Sequence, residues 1–205
     1  MNLPVLTSVL ILVVCITFFN IRTTNQRKEK LDEYWEKERK ANFIRKKSLE
    51  DLEYISIPFA SFPMQVATED EIIQNCLKDL RSLENEKIVN FTGISNTDLK
   101  LTYGTANITA LSQYDQNYTL FIRTLQEWGN RLHELGYDAE ARTVLEYAIN
   151  SRTDISSTYY LLASIYDSMG ETTKIKHLIL VANTLQTVMK NPIVRTLKES
   201  YPDID

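Results

Sequence analysis

Apolar residues recur at intervals of three and four along most of this chain, which is the spacing of one face of an α-helix. The longest such run, residues 108–132, predicts a long helix or two consecutive helices. A shorter run, residues 72–83, predicts another helix, with the hydroxyl of Thr68 as its N-cap ahead of three acidic residues. The pattern therefore predicts a mostly α-helical fold class.

Two stretches depart from helical spacing. Residues 51–66 alternate apolar and polar positions around prolines and predict an extended linker that packs, or a short strand. Residues 88–91 predict a second short extended or β segment, and Ser95 or Asn96 then caps a brief helix. We expect these minor extended or β segments to connect the helices.

The N-terminal region carries no charged side chain from residue 3 to residue 21. About 19 residues at a rise of 1.5 Å span about 28 Å, close to the hydrocarbon thickness of a bilayer. Residues 1–21 therefore predict a transmembrane anchor. A cleaved signal peptide is the rival interpretation, but the sequence has neither a basic n-region nor a small-x-small cleavage site. Basic residues follow the span at once, which predicts a single-pass plasma membrane protein with the N-terminus outside and a cytoplasmic C-terminal domain.

Residues 22–50 are rich in charge and predict a basic helical stalk that continues from the anchor. Leu31 and Trp35 begin an apolar stripe, which Glu38 and Asn42 interrupt. A solvated stalk is thus favoured over a coiled coil, which needs a sustained heptad. The alternative is that the basic side chains lie along anionic lipid.

A pattern repeats after 34 residues in the C-terminal part of the chain. Gly136 and Gly170 are 34 residues apart, and small residues recur at the same spacing at Gly129 and Ala163. The two copies read EWGNRLHELGYDAEARTVLEYAI and YYLLASIYDSMGETTKIKHLILVA. The order of small residue, bulky residue, turn glycine and A-x-x-x-L-x-x-A resembles the tetratricopeptide repeat family. The second copy departs from that family at Ile175, where the family usually has a small residue.

The resemblance implies two helical hairpins in residues 118–205, followed by a capping helix that begins at Asn191 and Pro192. Two hairpins are fewer than such arrays need, so we expect residues 67–117 to supply further helical packing surface. In the family, the first helices of the hairpins line a concave face that binds peptides. Its register places the following residues on that face: Arg123, Gln126, Asn130, His133, Tyr160, Ser164 and Asp167. A solvated helix face has the same polar character.

Charge divides the 205-residue chain. Residues 22–47 hold ten Lys and Arg against five Asp and Glu, a balance of +5, whereas the chain from residue 48 onward holds 13 against 22, a balance of −9. A basic collar favours an anionic membrane surface, and an acidic body disfavours nucleic acid as a partner.

Candidate chemistry is sparse. His133 and His177 have no suitable ligand three or four residues away, and the sequence contains no phosphate-binding glycine loop and no nucleophile elbow. Cys76, on an apolar helix face, is interpreted as a core residue. The sequence therefore predicts no catalytic, cofactor or metal site.

Together these patterns predict a membrane-tethered, cytosolic protein–protein interaction module that binds a protein or peptide at the tetratricopeptide-like face. The alternative is an obligate structural subunit of a membrane protein complex, and a less favoured one is an enzyme with an unrecognised site. The sequence leaves the oligomeric state open.

Overall fold

The structure, a computed structural model, describes the backbone of residues 3–202 and the side-chain environments of residues 11–202. Within these residues there are eight α-helices and no β-strand. The helices are α1 (Leu3–Asn42), α2 (Glu71–Ser82), α3 (Asn96–Tyr103), α4 (Ile108–Glu134), α5 (Asp138–Asn150), α6 (Ser156–Ser168), α7 (Thr172–Asn183) and α8 (Lys190–Ser200). A short 3₁₀ helix, Thr105–Asn107, precedes α4. The prediction of a mostly α-helical chain is confirmed.

The predicted transmembrane helix is wrong. No helix in the described part of the chain combines the length and the apolar character needed to cross a bilayer. The uncharged stretch of α1 with described side chains, residues 11–21, is about 16 Å long, against a hydrocarbon core of about 30 Å. The side chains of residues 3–10, where the predicted span begins, lie outside the described residues. The prediction of a single-pass plasma membrane protein with a cytoplasmic C-terminal domain is wrong for the same reason.

The β alternative for the two predicted extended or β segments is wrong. Residues 53–58 and 87–91 form no regular secondary structure, and Ile55 N–H donates to the Ile88 carbonyl at 2.9 Å. Among the described residues this contact does not grow into a ladder of backbone bonds. Pro58 ends the first segment, because proline has no N–H to donate and restricts the residue before it.

The chain divides into two units. Unit 1 comprises residues 1–48 and 95–108, and therefore contains α1, α3 and the 3₁₀ helix. Unit 2 comprises residues 49–94 and 109–205, and therefore contains α2 and nearly all of α4 through α8.

In unit 1, α3 is held against the end of α1 by polar contacts. Lys100 Nζ donates to Asn42 Oδ1 at 3.0 Å and also forms an ion pair with Glu38, whose second oxygen accepts a bond from Thr97 Oγ1 at 2.6 Å. The bonds from Lys100 and Thr97 hold the pKa of the Glu38 carboxyl below its usual value. Glu38 and Asn42, which interrupt the apolar stripe of the sequence, are thus the residues that bind α3.

Unit 2 has an apolar core to which every one of its helices contributes. Phe121, Trp128 and Tyr159 are fully buried, and burial of each such side chain contributes about 2–3 kcal/mol to folding. The linker also enters this core, because Phe62 packs edge-on against Trp128 with ring centroids 5.5 Å apart.

The 34-residue spacing is present in the backbone of unit 2. α5 and α7 begin at Asp138 and Thr172, 34 residues apart, and α6 and α8 begin at Ser156 and Lys190, also 34 apart. The turns after α4 and α6 also match, with a left-handed glycine at each (Gly136, φ +83°; Gly170, φ +72°). Their backbone bonds correspond one to one: Tyr137 N to Leu132 O at 2.9 Å and Gly136 N to His133 O at 2.9 Å, then Glu171 N to Tyr166 O at 2.8 Å and Gly170 N to Asp167 O at 2.9 Å. This is the Schellman arrangement, which glycine favours.

The helix starts differ from two of the predicted caps. Asp70, not Thr68, caps α2, since its carboxylate accepts bonds from the N–H groups of Ile72 and Ile73 at 3.0 and 3.2 Å. The last helix begins at Lys190, so that Asn191 lies within its first turn. Ser95, one of the two predicted candidates, does cap α3.

Candidate functional site

The predicted binding residues lie on two neighbouring helices of unit 2, and we call their exposed side the α4–α6 face. Its members are Arg123, Gln126, Asn130 and His133 on α4, with Tyr160, Ser164 and Asp167 on α6. The two helices are joined where the buried hydroxyl of Thr158 donates to Gln126 Oε1. Gln126 is half-buried, and its side-chain amide oxygen links α4 to α6.

The side chains of two further members, Asn130 and His133, also form bonds within the chain. Asn130 Nδ2 donates to Glu134 Oε1 at 2.8 Å, one turn along α4. His133 Nδ1 lies 2.6 Å from Asp138 Oδ1, at the first residue of α5, and so closes the turn between the two helices. Three of the seven predicted residues thus form side-chain bonds within the chain, and two of them, Gln126 and His133, link α4 to another helix.

Four members have no hydrogen bond or ion pair from their side chains to the rest of the described chain: Arg123, Tyr160, Ser164 and Asp167. Arg123, Ser164 and Asp167 are exposed, and Tyr160 is half-buried against the core. Burial, and secondarily the charge of Asp167, raise the pKa of Tyr201, which follows α8. The carboxylate of Asp167 is therefore close enough to affect the Tyr201 hydroxyl electrostatically.

Arg123 also borders a groove between α2 and α4 with a volume of about 440 Å³. Asp79 contributes one carboxylate to the lining and Glu127 another, and Leu120, 39% exposed, contributes an apolar surface. The groove combines a guanidinium, two carboxylates and an aliphatic side chain. Such a surface suits a polypeptide of mixed charge better than an extended polyanion.

Sequence reasoning missed a network of ionic contacts on α5, α6 and α7. Glu146 Oε1 accepts from Arg142 Nε at 2.8 Å, from the Tyr166 hydroxyl at 2.8 Å and from Lys174 Nζ at 3.3 Å. Burial acts to raise the pKa of the Glu146 carboxyl, but these three bonds outweigh it and the pKa is lowered. The signal available in the sequence was the pair Arg142 and Glu146, four residues apart on one helix.

Reactive groups are dispersed. No three His, Cys, Asp or Glu side chains between residues 11 and 202 are grouped so that they could hold a metal ion. Cys76 is buried, and burial raises the pKa of its thiol to about 12, so it is not a thiolate at neutral pH. His177 lies on α7, apart from the His133–Asp138 contact, and borders a smaller cavity of about 280 Å³ together with Glu146 and Tyr166.

Comparison of the chain with models of known protein families, with curated proteins and with solved structures finds no match. The resemblance to the tetratricopeptide repeat family therefore stays a prediction. The α4–α6 face is defined by its own geometry alone.

Proposed function

We propose that unit 2 is a helical-repeat interaction module and that the α4–α6 face binds a peptide segment of a partner protein. The observation that carries this proposal is the division among the seven face residues. Gln126, Asn130 and His133 form side-chain bonds within the chain, whereas the side chains of the other four make no hydrogen bond or ion pair with another described residue. The proposal includes no catalytic step.

The arrangement suits peptide recognition for an energetic reason. Binding is opposed by the loss of conformational freedom, and a surface whose helices are already fixed loses less of it. The contact between Thr158 and Gln126 fixes α6 relative to α4 before any partner arrives. Arg123 and Asp167 carry opposite charges, so we expect the bound segment to contain both an acidic and a basic side chain.

Site-specific photo-crosslinking in cells tests the proposal. Benzoylphenylalanine placed at Ser164, on the face, should give discrete crosslinked products with a partner protein. The same probe at Thr143, exposed on α5, is the positional control and should not give these products. Equal products from both positions would contradict the assignment of the face.

Substitution provides the second arm of the test. Arg123→Glu combined with Tyr160→Ala should reduce the Ser164 products at least several-fold, because it reverses a charge and removes the aromatic contact. Arg81→Glu is the matched control: Arg81 is exposed on α2 and borders neither the groove nor the face. Circular dichroism should show that both variants fold.

The alternative, a permanent structural subunit, is favoured by one observation in unit 1. Large apolar side chains from Ile11 to Ile21 of α1 are more than half exposed. Exposed apolar surfaces of this kind commonly mark stable protein contacts. Mass measurement of the purified full chain distinguishes the two functions. A monomer favours the peptide-binding module, and a defined oligomer or aggregation favours the subunit.

A further inference from the structure

The C-terminal end of α5 repeats the Schellman turn, but without glycine. Thr153 N–H donates to Ala148 O at 3.2 Å and Arg152 N–H to Ile149 O at 2.9 Å, with the same residue offsets as the turns at Gly136 and Gly170. Arg152 takes the left-handed position at φ +60°. A side chain at positive φ is strained, whereas glycine is not. Arg152 therefore stands at a position where glycine would form the turn with less strain.

Arg152 borders a cavity with a volume of about 630 Å³. The cavity lies within unit 2, between the linker, residues 90–94, the end of α5 and the loop from α7 to α8. Its size falls in the range of small-molecule sites in proteins. Its lining includes the apolar side chains of Tyr54, Ile94 and Leu185 and the side-chain amides of Asn150 and Gln186.

The walls of this cavity are tied together by hydrogen bonds. Asn90 Nδ2 donates to the Tyr118 hydroxyl at 2.8 Å and lies within bonding distance of the Ser151 and Arg152 carbonyls, at 3.2 and 3.3 Å. Its Oδ1 accepts from Thr92 N–H at 2.8 Å. The cavity is therefore a preformed feature of the fold.

A glycine brings residues 90–94 close to the loop before α8. Gly93 takes φ +84°, and a Cβ there would lie 2.5 Å from the Gln186 carbonyl oxygen. Only glycine allows residues 90–94 to approach the loop before α8 this closely.

The charges at the cavity are unpaired. The Arg152 guanidinium is exposed and makes no ion pair or hydrogen bond with another described residue, and the same is true of the Glu53 carboxylate on the linker. A guanidinium presents its N–H groups in a planar fork that matches the two oxygens of a carboxylate or a phosphate.

We propose that this cavity binds a small organic anion, with Arg152 holding its carboxylate or phosphate group and Tyr54, Ile94 and Leu185 contacting its apolar part. Glu53 disfavours an anion electrostatically, so its removal should tighten binding. This site is separate from the α4–α6 face and does not depend on the function proposed for that face.

Titration of the ¹⁵N-labelled full chain with defined probes tests the proposal. The probes are phenyl phosphate, 3-phenylpropionate and the neutral 3-phenylpropan-1-ol. The expected result is saturable shifts of the Gly93, Ile94 and Arg152 amide signals with at least one anionic probe, about tenfold tighter than with the alcohol. The stronger of the two anions identifies phosphate or carboxylate as the group recognised.

Two substitutions at residue 152 separate the side chain from the turn. Arg152→Gly suits the left-handed backbone, so it should keep the fold and lose at least about tenfold in affinity for the anion. Arg152→Asn, which also tolerates this conformation, replaces it should the glycine variant fail to fold. Glu53→Gln should tighten binding. Arg81→Gln, at an exposed position of α2, should leave binding unchanged.

Three results would overturn the proposal. One is equal affinity for the anions and the alcohol, and another is unchanged affinity in an Arg152 variant that folds. The third is the absence of saturable shifts with every probe up to about 10 mM, a concentration that detects even weak sites.

Discussion

Two glycines of the repeated pattern serve different purposes at the residue scale. Gly136 lies at φ +83° with open space where a Cβ would be, so its role is conformational. Gly129 lies within α4, and a Cβ there would be 2.6 Å from Cδ2 of the fully buried Leu145 on α5. Gly129 is thus a small residue that allows two helices to pack closely.

We expect Gly129→Ala to destabilise unit 2 despite its better helix propensity. Alanine gains about 1 kcal/mol in a helix, whereas overpacking of a core costs about 1–3 kcal/mol, so the net change should be a loss of about 1 kcal/mol. Urea unfolding followed by circular dichroism measures this loss.

A second substitution tests the cause. Leu145→Ala alone should cost about 2–5 kcal/mol, and the double variant should cost less than the sum, because the smaller residue 145 leaves room for the new methyl group. Additive losses would show that the contact with Leu145 is not the cause.

At the element scale, the ionic network around Glu146 joins α5, α6 and α7. Of these helices, α5 and α7 are not consecutive along the chain. Glu146 accepts from Arg142 on its own helix, from Tyr166 on α6 and from Lys174 on α7. Arg142 Nη1 in turn donates to Glu171 Oε1 at 2.9 Å, beside the start of α7. The network therefore fixes one hairpin relative to the next.

We expect Glu146→Gln to lower the free energy of unfolding at pH 7 by about 1–2 kcal/mol, a modest figure because the carboxylate is about one-third exposed. The pKa of Glu146 is lower in the folded protein than its ordinary value of 4.5. Its stabilising effect is therefore present above pH 4.5 and is lost as the pH falls through the folded pKa.

The measurement is thermal unfolding of both proteins across pH. The difference between the original chain and Glu146→Gln should shrink as the pH falls below 4.5, and it should disappear once the carboxyl is protonated in the original chain as well. Glu84→Gln, an exposed carboxylate in none of these contacts, should show no such pH-dependent difference. A difference that does not change with pH would show that shape, not charge, is responsible.

At the scale of the whole molecule, the chain forms two units whose sequence segments alternate. α3 lies in unit 1 although the chain enters it from unit 2. Within unit 1, Lys100 connects α3 to Glu38 and Asn42 of α1. Separate units open separately when their internal contacts are weakened.

We expect Lys100→Met to accelerate hydrogen exchange of the α3 amides at least several-fold, because it removes the two contacts that Lys100 makes with α1. Amides of unit 2 helices, such as those near Trp128 and Leu162, should exchange at the original rate. Mass spectrometry of peptic fragments measures both regions. Lys78→Met, on the exposed side of α2, is the control, and equal acceleration in both units would contradict separate opening.

Helices were predictable from the sequence because their signals are local. The apolar spacing before Leu132, the turn glycines Gly136 and Gly170 and the cap at Ser95 depend on residues within a few positions of one another. The membrane helix was predicted from the same kind of signal and was wrong. An apolar run shows only that the local composition is hydrophobic. The described part of α1 does not combine the length and the apolar character needed to cross a bilayer.

The site was only partly predictable. Register placed the seven face residues on two helices, but could not show that Gln126 is bonded to Thr158, 32 residues away. The same limit hid the contacts of Glu38 with Lys100, 62 residues apart, and the cavity beside Arg152. Long-range contacts of this kind leave no periodic trace in a sequence.

The sequence by itself determined where most helices form and which of their sides are apolar, since both follow from neighbouring residues. The tertiary structure alone decided which polar side chains are free. Whether a side chain such as Arg152 or Gln126 has a partner depends on segments that only folding brings within hydrogen-bonding distance.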